Sequence, residues 1–363
     1  MNINEHEDFW TQQTKADETQ TEPHLKVHTI EEVVPLDEQF GVENLKTVPD
    51  MLRDTVLGQP QPTKIESQRT DEDAPQMSPA GTYAILDAAK IKNLPELLET
   101  SGLEHRCLFK GDAFDELKDV APWIVRLENG NRFTRNLFTC SDAPWHLWDD
   151  QPGIYLRSHG TLNEMWGHFR KFTRVQDENG KWIYFRFWES GSLLELLQSW
   201  RDNSGKLASF FAASQPHSVL NVICLDHIDR SASVVALSDH TDRIGSNVQF
   251  SLNAADRHVL SSWRETRFDR MLLLELGGKY PDFARRPQAS REAWLQSVIE
   301  AAERVEIKLE GALADFAHAA HLLGANPATH GETVHIVADK TFHQKDRARL
   351  ARQAAQRYSK VRG

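Results

Sequence analysis

The chain has 363 residues and a formal net charge of −11, and its negative charge is concentrated at one end. Residues 1–80 carry 17 Asp and Glu against 6 Lys and Arg, so the remainder of the chain is neutral. Because nucleic-acid binding depends on clustered Lys and Arg, this charge balance argues against a nucleic-acid partner.

Length and composition also limit the possible number of lobes and the cellular compartment. At about 150 residues per domain, the length predicts two lobes. The N-terminal sequence MNINEHEDFW lacks a secretory-signal pattern, and no later apolar run approaches the ~20 residues of a membrane span. Cys107, Cys140 and Cys224 have no paired spacing. We therefore expect a soluble cytoplasmic protein, without a membrane partner, whose cysteines are reduced and structural.

Residues 1–78 are rich in Glu, Asp, Gln, Thr and Pro, which predicts a disordered acidic tail. Two apolar islands interrupt this tail, TIEEVVPLDEQFGVENL at 29–45 and VPDMLRDTVLG at 48–58. Each has enough apolar side chains to dock on another surface but too few to form a core alone. Docking peptides and a linker with incidental apolar residues both remain open at this point.

The next segment, residues 79–204, alternates between strands and helices. TYAILDAA, HRCLFKG, APWIVRL and GIYLRS are predicted strands, and NLPELLETS and TLNEMWGHFRKF are predicted helices. Thr161 and Glu164 have the spacing of a capping box. RVQDENGKWIYFRFW is a predicted hairpin, in which Asn179 and Gly180 would form a two-residue turn with positive φ at both positions. The fold class expected is α/β (α+β) with a mixed sheet.

The final segment, residues 205–363, is predicted to be a mainly α-helical C-terminal lobe. SVLNVICLDHI and SASVVALSD indicate a pair of strands near its beginning. Most of the remaining residues have a helical period, and the longest predicted helix runs from about Arg291 to Leu323.

A small internal repeat is the best candidate for a metal site. DHIDR begins at Asp226 and DHTDR begins at Asp239, and each contains a His after its first Asp, His227 and His240. His and Asp can bind zinc or other divalent ions, so a metal-dependent hydrolase or a secreted toxin is the alternative function. Each copy also carries an Arg, and alternating charge at strand ends is typical of solvated surface. We predict no metal and no cofactor.

Other catalytic signatures are missing from the sequence. His318 and His321 are three residues apart, without the Glu of a metalloprotease HExxH motif. No GxSxG, GxxxxGK[ST] or GxGxxG sequence occurs. The absence of these motifs favours a binding protein, and we expect no enzymatic activity.

The stretch WIYFRFWESGSLLELLQSW, from Trp182 to Trp200, changes its period halfway. Its first half alternates as a strand does, which would direct one set of side chains toward the core: Ile183, Phe185 and Phe187. Its second half has a helical period, and Ser192 and Glu195 are spaced as a capping box.

The opposite face of this strand carries an arginine among aromatic residues. Arg186 would lie between Tyr184 and Trp188, where a guanidinium can stack on rings and still bind a carboxylate. Interface hot spots are enriched in such residues. We predict that Tyr184, Arg186, Trp188 and Glu189 bind a partner. The alternative is an Arg186 to Glu189 pair that only stabilises the turn from strand to helix.

Four blocks carry a family resemblance: TYAILDAA, LEHRCLFKGD, ELKDVAPWIVRLE and YFRFWESGSLLELL. Together they resemble the adaptor-chaperone family of bacterial type VI secretion, whose members load toxic effectors onto the VgrG spike. The resemblance covers Thr82 to Trp200 and implies a cytosolic adaptor with two partners, an effector and VgrG. The family pattern F-R-F-Y-D-P-R becomes FRFWESG in this chain, in which Arg186 matches but the Pro and second Arg are missing.

Overall fold

The computed structural model describes residues 24–59, 78–212, 218–238 and 250–362. Its contacts divide the chain into two units, Met1–Arg257 and His258–Gly363. The first unit combines an antiparallel sheet with helices, and the described part of the second is helical. This confirms the predicted fold class, an α+β lobe followed by a mainly helical lobe.

Ten described strands form two sheets in the first unit. The strands are β1 (Leu25–Ile30), β2 (Gly81–Asp87), β3 (His105–Cys107), β4 (Pro122–Leu127), β5 (Gly153–Ser158), β6 (Arg174–Asp177), β7 (Trp182–Tyr184), β8 (Val219–Asp226), β9 (Ser231–Leu237) and β10 (Ser251–Leu252). The larger sheet has the order β1-β9-β8-β5-β2-β4-β3, and every neighbouring pair in it is antiparallel. Strands β2 and β5 lie at its centre, and nearly all their residues are buried.

The mixed pairing expected from the sequence occurs only in the smaller sheet, which has the order β10-β6-β7. Strand β6 is parallel to β10 and antiparallel to β7. The turn between β6 and β7 spans Glu178–Lys181 rather than two residues. Only Gly180 has a positive φ (78°), because the Asp177 carboxylate accepts hydrogen bonds from the amides of Asn179 (2.8 Å) and Lys181 (2.9 Å) and turns the chain.

Helices cover both the sheet and an aromatic core. The first unit contains α1 (Arg53–Leu57), α2 (Leu94–Ser101), α3 (Asp112–Leu117), α4 (Arg132–Leu137), α5 (Leu162–Phe169), α6 (Ser190–Ser199) and α7 (Ser204–Phe211). Helix α5 begins with the predicted capping box of Thr161 and Glu164. Near it, Phe172 contacts Phe250 with ring centroids 4.9 Å apart. The same cluster of rings includes Phe169, Phe187, Trp200 and Phe210.

Residues 24–59, which the sequence predicts to be part of a disordered tail, belong to the folded unit. Strand β1 pairs along its whole length with β9. Five apolar residues of the two islands are buried in the core: Val33, Leu36, Val48, Leu52 and Val56. The islands dock on their own chain because the sheet supplies apolar surface that a short segment cannot provide for itself. The rest of the predicted tail, residues 1–23 and 60–77, lies outside the described residues.

Arg157 on β5 holds the end of this N-terminal segment. Its side chain is buried, and its guanidinium donates to the carbonyl oxygens of Val56, Gly58 and Ala80. These acceptors are backbone carbonyls at the end of α1 and just before β2, so the positive charge is satisfied by peptide dipoles. Burial lowers the pKa of Arg157.

The division between the units falls after Arg257, not near 204 as the sequence indicates. Strand β8 pairs with β5, which places the strand pair within the large sheet of the first unit. Asp256 contributes further contacts to this unit. Its buried carboxylate accepts from Trp200 Nε1 (2.7 Å) and the Asn253 amide (2.7 Å) and pairs with Lys206.

The second unit begins within α8 (Ala254–Lys279). Its further described helices are α9 (Pro281–Ala284), α10 (Gln288–Arg304), α11 (Glu310–Leu323), α12 (Val334–Ala338) and α13 (Gln344–Arg362). The single helix predicted from Arg291 to Leu323 is therefore two helices. The chain turns between them because Glu306 adopts a left-handed conformation (φ 57°) and the Ile307 amide returns to the Ala302 carbonyl (2.9 Å).

Candidate functional site

Strand β7 presents part of the predicted partner-binding set to solvent. Tyr184 is 65% exposed, and the Arg186 side chain is 54% exposed. Trp188, in contrast, is only 4% exposed and packs against the ring of Phe187 (centroids 5.4 Å apart). Glu189 is half-buried at the N-cap of α6. Of the four residues, the structure leaves only Tyr184 and Arg186 prominently exposed.

Trp188 departs from the predicted alternation because the strand ends at Tyr184. After it the chain turns, and the Glu189 amide donates to the Arg186 carbonyl (3.3 Å). Phe187 and Trp188 are consequently both buried although they are consecutive. The helix also begins earlier than predicted, so Ser192 bonds to the Glu189 carbonyl (3.1 Å) instead of forming a capping box.

Arg186 pairs with Asp87, not with Glu189. The Arg186 Nη2 to Asp87 Oδ2 distance is 2.5 Å, and the Asp87 side chain is 2% exposed at the end of β2. The second oxygen of this carboxylate accepts from the Ala89 amide (3.0 Å). A buried carboxylate requires such partners, since an unpaired buried charge is strongly destabilising. The pair therefore fixes the position of Arg186 while leaving part of its guanidinium in solvent.

Aromatic rings and a second arginine lie along β7 and the neighbouring strand. Tyr184 contacts Phe109 with ring centroids 6.2 Å apart. Trp182 points to the same face of β7 as Tyr184, because it is two residues away. The guanidinium of Arg174, on the neighbouring strand β6, lies 5.4 Å from the centre of the exposed Trp182 ring. Both contacts keep large side chains ordered at the surface.

A second arginine stack adjoins these rings through β3. The Arg106 guanidinium lies 3.5 Å from the centre of the Trp166 ring and also donates to Asn163 Oδ1 (3.0 Å). Trp166 Nε1 donates to the carbonyl of Cys107, two residues before Phe109. We call this set the aromatic–arginine surface: Arg106, Phe109, Trp166, Arg174, Trp182, Tyr184 and Arg186.

Sequence reasoning missed five members of this surface: Arg106, Phe109, Trp166, Arg174 and Trp182. They come from segments that the sequence marks only as a strand (HRCLFKG), a helix (TLNEMWGHFRKF) and a hairpin. Arg106, Arg174 and Trp182 are exposed, whereas Phe109 and Trp166 are half-buried, so no single sequence signal marks all five. Their convergence required knowledge of which elements are neighbours in space.

Of the histidine and aspartate candidates for a metal site, the two that the structure describes, Asp226 and His227, occupy structural positions. Asp226 accepts from the amides of Ile228 (2.9 Å) and Asp229 (3.0 Å) and so shapes the turn after β8. His227 packs edge-on against Trp148 (4.6 Å), and burial lowers its pKa to about 4. Asp239 and His240 lie outside the described residues. Within the described ranges, no group of three or more His, Cys, Asp or Glu side chains is arranged to hold a metal ion.

Histidines of the helical unit also have local partners. The ring of His318 bonds to the Tyr280 hydroxyl (3.0 Å) and to Glu275 (2.8 Å), and burial lowers its pKa. His321 lies 3.5 Å from Asp282. These contacts fit a polar cluster that links helices of the unit.

All three cysteines lie in the described residues and are free thiols. Burial raises the pKa of Cys107 to about 11 and that of Cys224 to about 12. The pKa of Cys140 is raised by its hydrogen bond to Asp149. Thiols with raised pKa values are poor nucleophiles at neutral pH, which agrees with the structural role expected.

Comparison with known proteins gives one match. A family model described as "Domain of unknown function (DUF4123)" matches residues 82–205, about a third of the chain. The matched segment contains the aromatic–arginine surface and nearly coincides with the four blocks described above. No curated protein and no solved structure matches the chain. None of the helices in the described part combines the length and apolar character needed to cross a membrane.

Proposed function

We propose that the chain is a non-enzymatic cytoplasmic adaptor of type VI secretion, which binds an effector and helps to load it onto the VgrG spike. The observation that carries the proposal is the aromatic–arginine surface inside the segment matched by DUF4123. That family is typical of effector-loading adaptors of type VI secretion. The proposal therefore rests on a likeness of sequence and on a surface suited to binding a polypeptide.

The chemistry of the surface favours a polypeptide partner. Trp182 and Tyr184 offer exposed rings, and rings are frequent among the residues that dominate interface energies. Arg106, Arg174 and Arg186 add guanidinium groups that can bind carboxylates with two hydrogen bonds. Arg186 is already paired on one side with Asp87, so its orientation is set before a partner arrives. A segment with apolar and acidic side chains would complement this surface.

Such binding also accounts for a chaperone role. An effector segment whose apolar side chains cover Trp182 and Tyr184 would be shielded from other chains until it reaches the spike. Removal of this apolar area from water favours the complex, and the guanidinium groups select the segment by its carboxylates.

Coimmunoprecipitation from cells that express the chain with the effector and spike proteins encoded beside it tests the proposal. The chain is expected to recover both proteins. Arg174→Glu, which reverses a charge beside Trp182, is expected to lose one of them. Arg285→Glu, an equivalent change at an exposed residue of the helical unit, is the matched control and should retain both. Recovery of neither protein by the unaltered chain would show that it is not an adaptor of this system.

A further inference from the structure

The first apolar island is docked on its own chain by only some of its apolar residues. Val33 and Leu36 are buried, and the backbone of Leu36 bonds to the Phe138 carbonyl (2.8 Å) and the Cys140 amide (2.9 Å). The residues after Leu36 leave the core, and the chain returns to it at Thr47. The segment from 37 to 46 therefore forms a surface loop, which we call the Phe40 loop.

The Phe40 loop is closed at its base by one side chain. Gln39 Oε1 accepts from the Lys46 amide (2.7 Å), and Gln39 Nε2 donates to the Lys46 carbonyl (3.0 Å). Arg135 Nε donates to the same carbonyl (3.2 Å). Gln39 (φ 52°) and Gly41 (φ 74°) are both left-handed, which turns the chain on either side of Phe40. The hydrogen bonds at both ends preorganise the loop.

This loop presents apolar side chains to solvent. Phe40 is 87% exposed, and Val42 and Leu45 are also exposed. Phe40 and Leu45 form one wall of a surface cavity of about 230 Å³, which Trp145 and Arg132 also line. Burial of an aromatic side chain removes about 150–250 Å² from water. Because Phe40 is mostly exposed, most of the free energy from burying its ring is available to a partner. Preorganisation reduces the entropy lost when the partner binds.

Charges on the loop indicate the chemistry of the partner. Asp37, Glu38 and Glu43 are exposed, and within the described residues none of them forms an ion pair. The one cation of the loop, Lys46, is paired with Asp50 (2.5 Å). Arg132 and Arg135 line the cavity together with Asp37 and Glu38, but the three carboxylates of the loop outnumber these two guanidinium groups and favour a partner whose rim is basic.

We propose that the Phe40 loop is a second docking element, which inserts Phe40 into an apolar pocket of a protein partner whose rim carries Lys or Arg. The proposal rests on the proposed function, because the partner is whichever of the effector and the spike does not bind the aromatic–arginine surface. An adaptor that holds two proteins at once needs two separate docking elements, and the loop supplies the second.

The test measures affinities of full-length Phe40→Ser for the purified effector and the purified spike encoded beside the chain. Phe40→Ser is expected to weaken binding of one protein by about 30-fold and leave the other unchanged. Phe342→Ser, at another exposed phenylalanine, should retain both affinities. Glu38→Lys and Glu43→Lys should weaken the same complex as Phe40→Ser, and added salt should weaken it in the unaltered chain. Unchanged affinity of Phe40→Ser for both proteins would overturn the proposal.

A crosslinking measurement separates this proposal from the proposed function. If the unaltered chain binds neither protein, the adaptor function fails, and the partner assigned to the loop fails with it. If the unaltered chain binds both proteins, a benzophenone amino acid placed at position 40 tests the loop alone. A crosslink to an apolar pocket flanked by Lys or Arg, in a protein that Phe40→Ser no longer binds, supports the docking element. No crosslink, or crosslinks only to the chain itself, overturns it.

Discussion

Arg157 and Arg186 use the same functional group in two different settings. Arg157 lies in the core of the sheet, where its guanidinium binds backbone carbonyls of the N-terminal segment. Arg186 lies at the surface, where it binds the buried carboxylate of Asp87 and keeps half of its side chain in solvent. In the first setting the charge faces only its own chain, whereas in the second it faces outward as well.

Arg347 in the helical unit belongs to the first kind. It is buried and donates to the carbonyls of Val305 (2.8 Å), Val337 (2.6 Å) and Glu306 (3.2 Å). Each unit thus uses a buried arginine to hold together backbone segments at the ends of helices, where carbonyls lack a helical partner. Burial and acceptor type, rather than residue type, distinguish an arginine that stabilises the fold from one that is available to a partner.

The largest expected effect comes from Arg157→Met. The change leaves several buried carbonyls without donors, so we expect the free energy of unfolding to fall by about 3–5 kcal/mol. The loss should appear as a lower denaturant midpoint and as faster amide exchange in residues 50–58, which Arg157 holds to the sheet. Arg174→Met, the same substitution at an exposed arginine, is the matched control. A loss below about 1 kcal/mol in Arg157→Met would contradict the structural role assigned to it.

Two partly buried histidines, His168 and His227, make the stability of the fold depend on pH. Burial lowers the pKa of both His168 and His227 to about 4. An unfolded histidine binds a proton near pH 6.5, so the unfolded state takes up more protons than the folded state between pH 6.5 and 4. Stability is therefore complete above pH 6.5 and is lost as the pH falls. Each histidine should account for about 2 kcal/mol between pH 7 and 5.

Urea unfolding at a series of pH values measures this dependence. His227→Leu removes one of the two groups, so its unfolding free energy should fall less steeply between pH 6.5 and 5 than that of the unaltered chain. The slope is measured within each protein, which makes it independent of any packing change caused by leucine. An equal slope in both proteins would mean that His227 is not held neutral by the fold.

Much of the first unit could be predicted from sequence because its signals are local. The strand TYAILDAA corresponds to β2, the helix NLPELLETS corresponds to α2, and the capping box at Thr161 is present. Each depends on side-chain period or on residues within one turn. The predicted fold class follows from the order of these elements.

Features that depend on distant residues could not be predicted. The partner of Arg186 is Asp87, 99 residues earlier in the chain, whereas spacing alone suggested Glu189. Leu25–Ile30 forms a strand because β9, some 200 residues later, pairs with it. Helix α6 begins at Ser190, whose hydroxyl bonds to Gly153 and Leu225, so tertiary contacts replace the local capping box.

A double-mutant cycle on Arg186 and Asp87 tests the surface pair. Arg186→Ala should lower the free energy of unfolding by about 1–2 kcal/mol, less than Arg157→Met, because solvent reaches its guanidinium. Combining it with Asp87→Asn should cost less than the sum of the single changes, since the second change removes the carboxylate that the first leaves unpaired. Strictly additive losses would show that the two side chains do not interact in solution.

Tyr184→Ala should have the smallest effect on stability and so separates binding from folding most clearly. The ring is 65% exposed and its phenol has no hydrogen bond in the described residues, so we expect a change in unfolding free energy within about 0.5 kcal/mol. Affinity for the partner of the aromatic–arginine surface should nevertheless fall by about tenfold or more, as is common when an aromatic interface residue is truncated. Phe185→Ala reverses both expectations, because the neighbouring ring is buried and faces the core. If Tyr184→Ala bound the effector and the spike as tightly as the unaltered chain does, the exposed face of β7 would not be the contact surface.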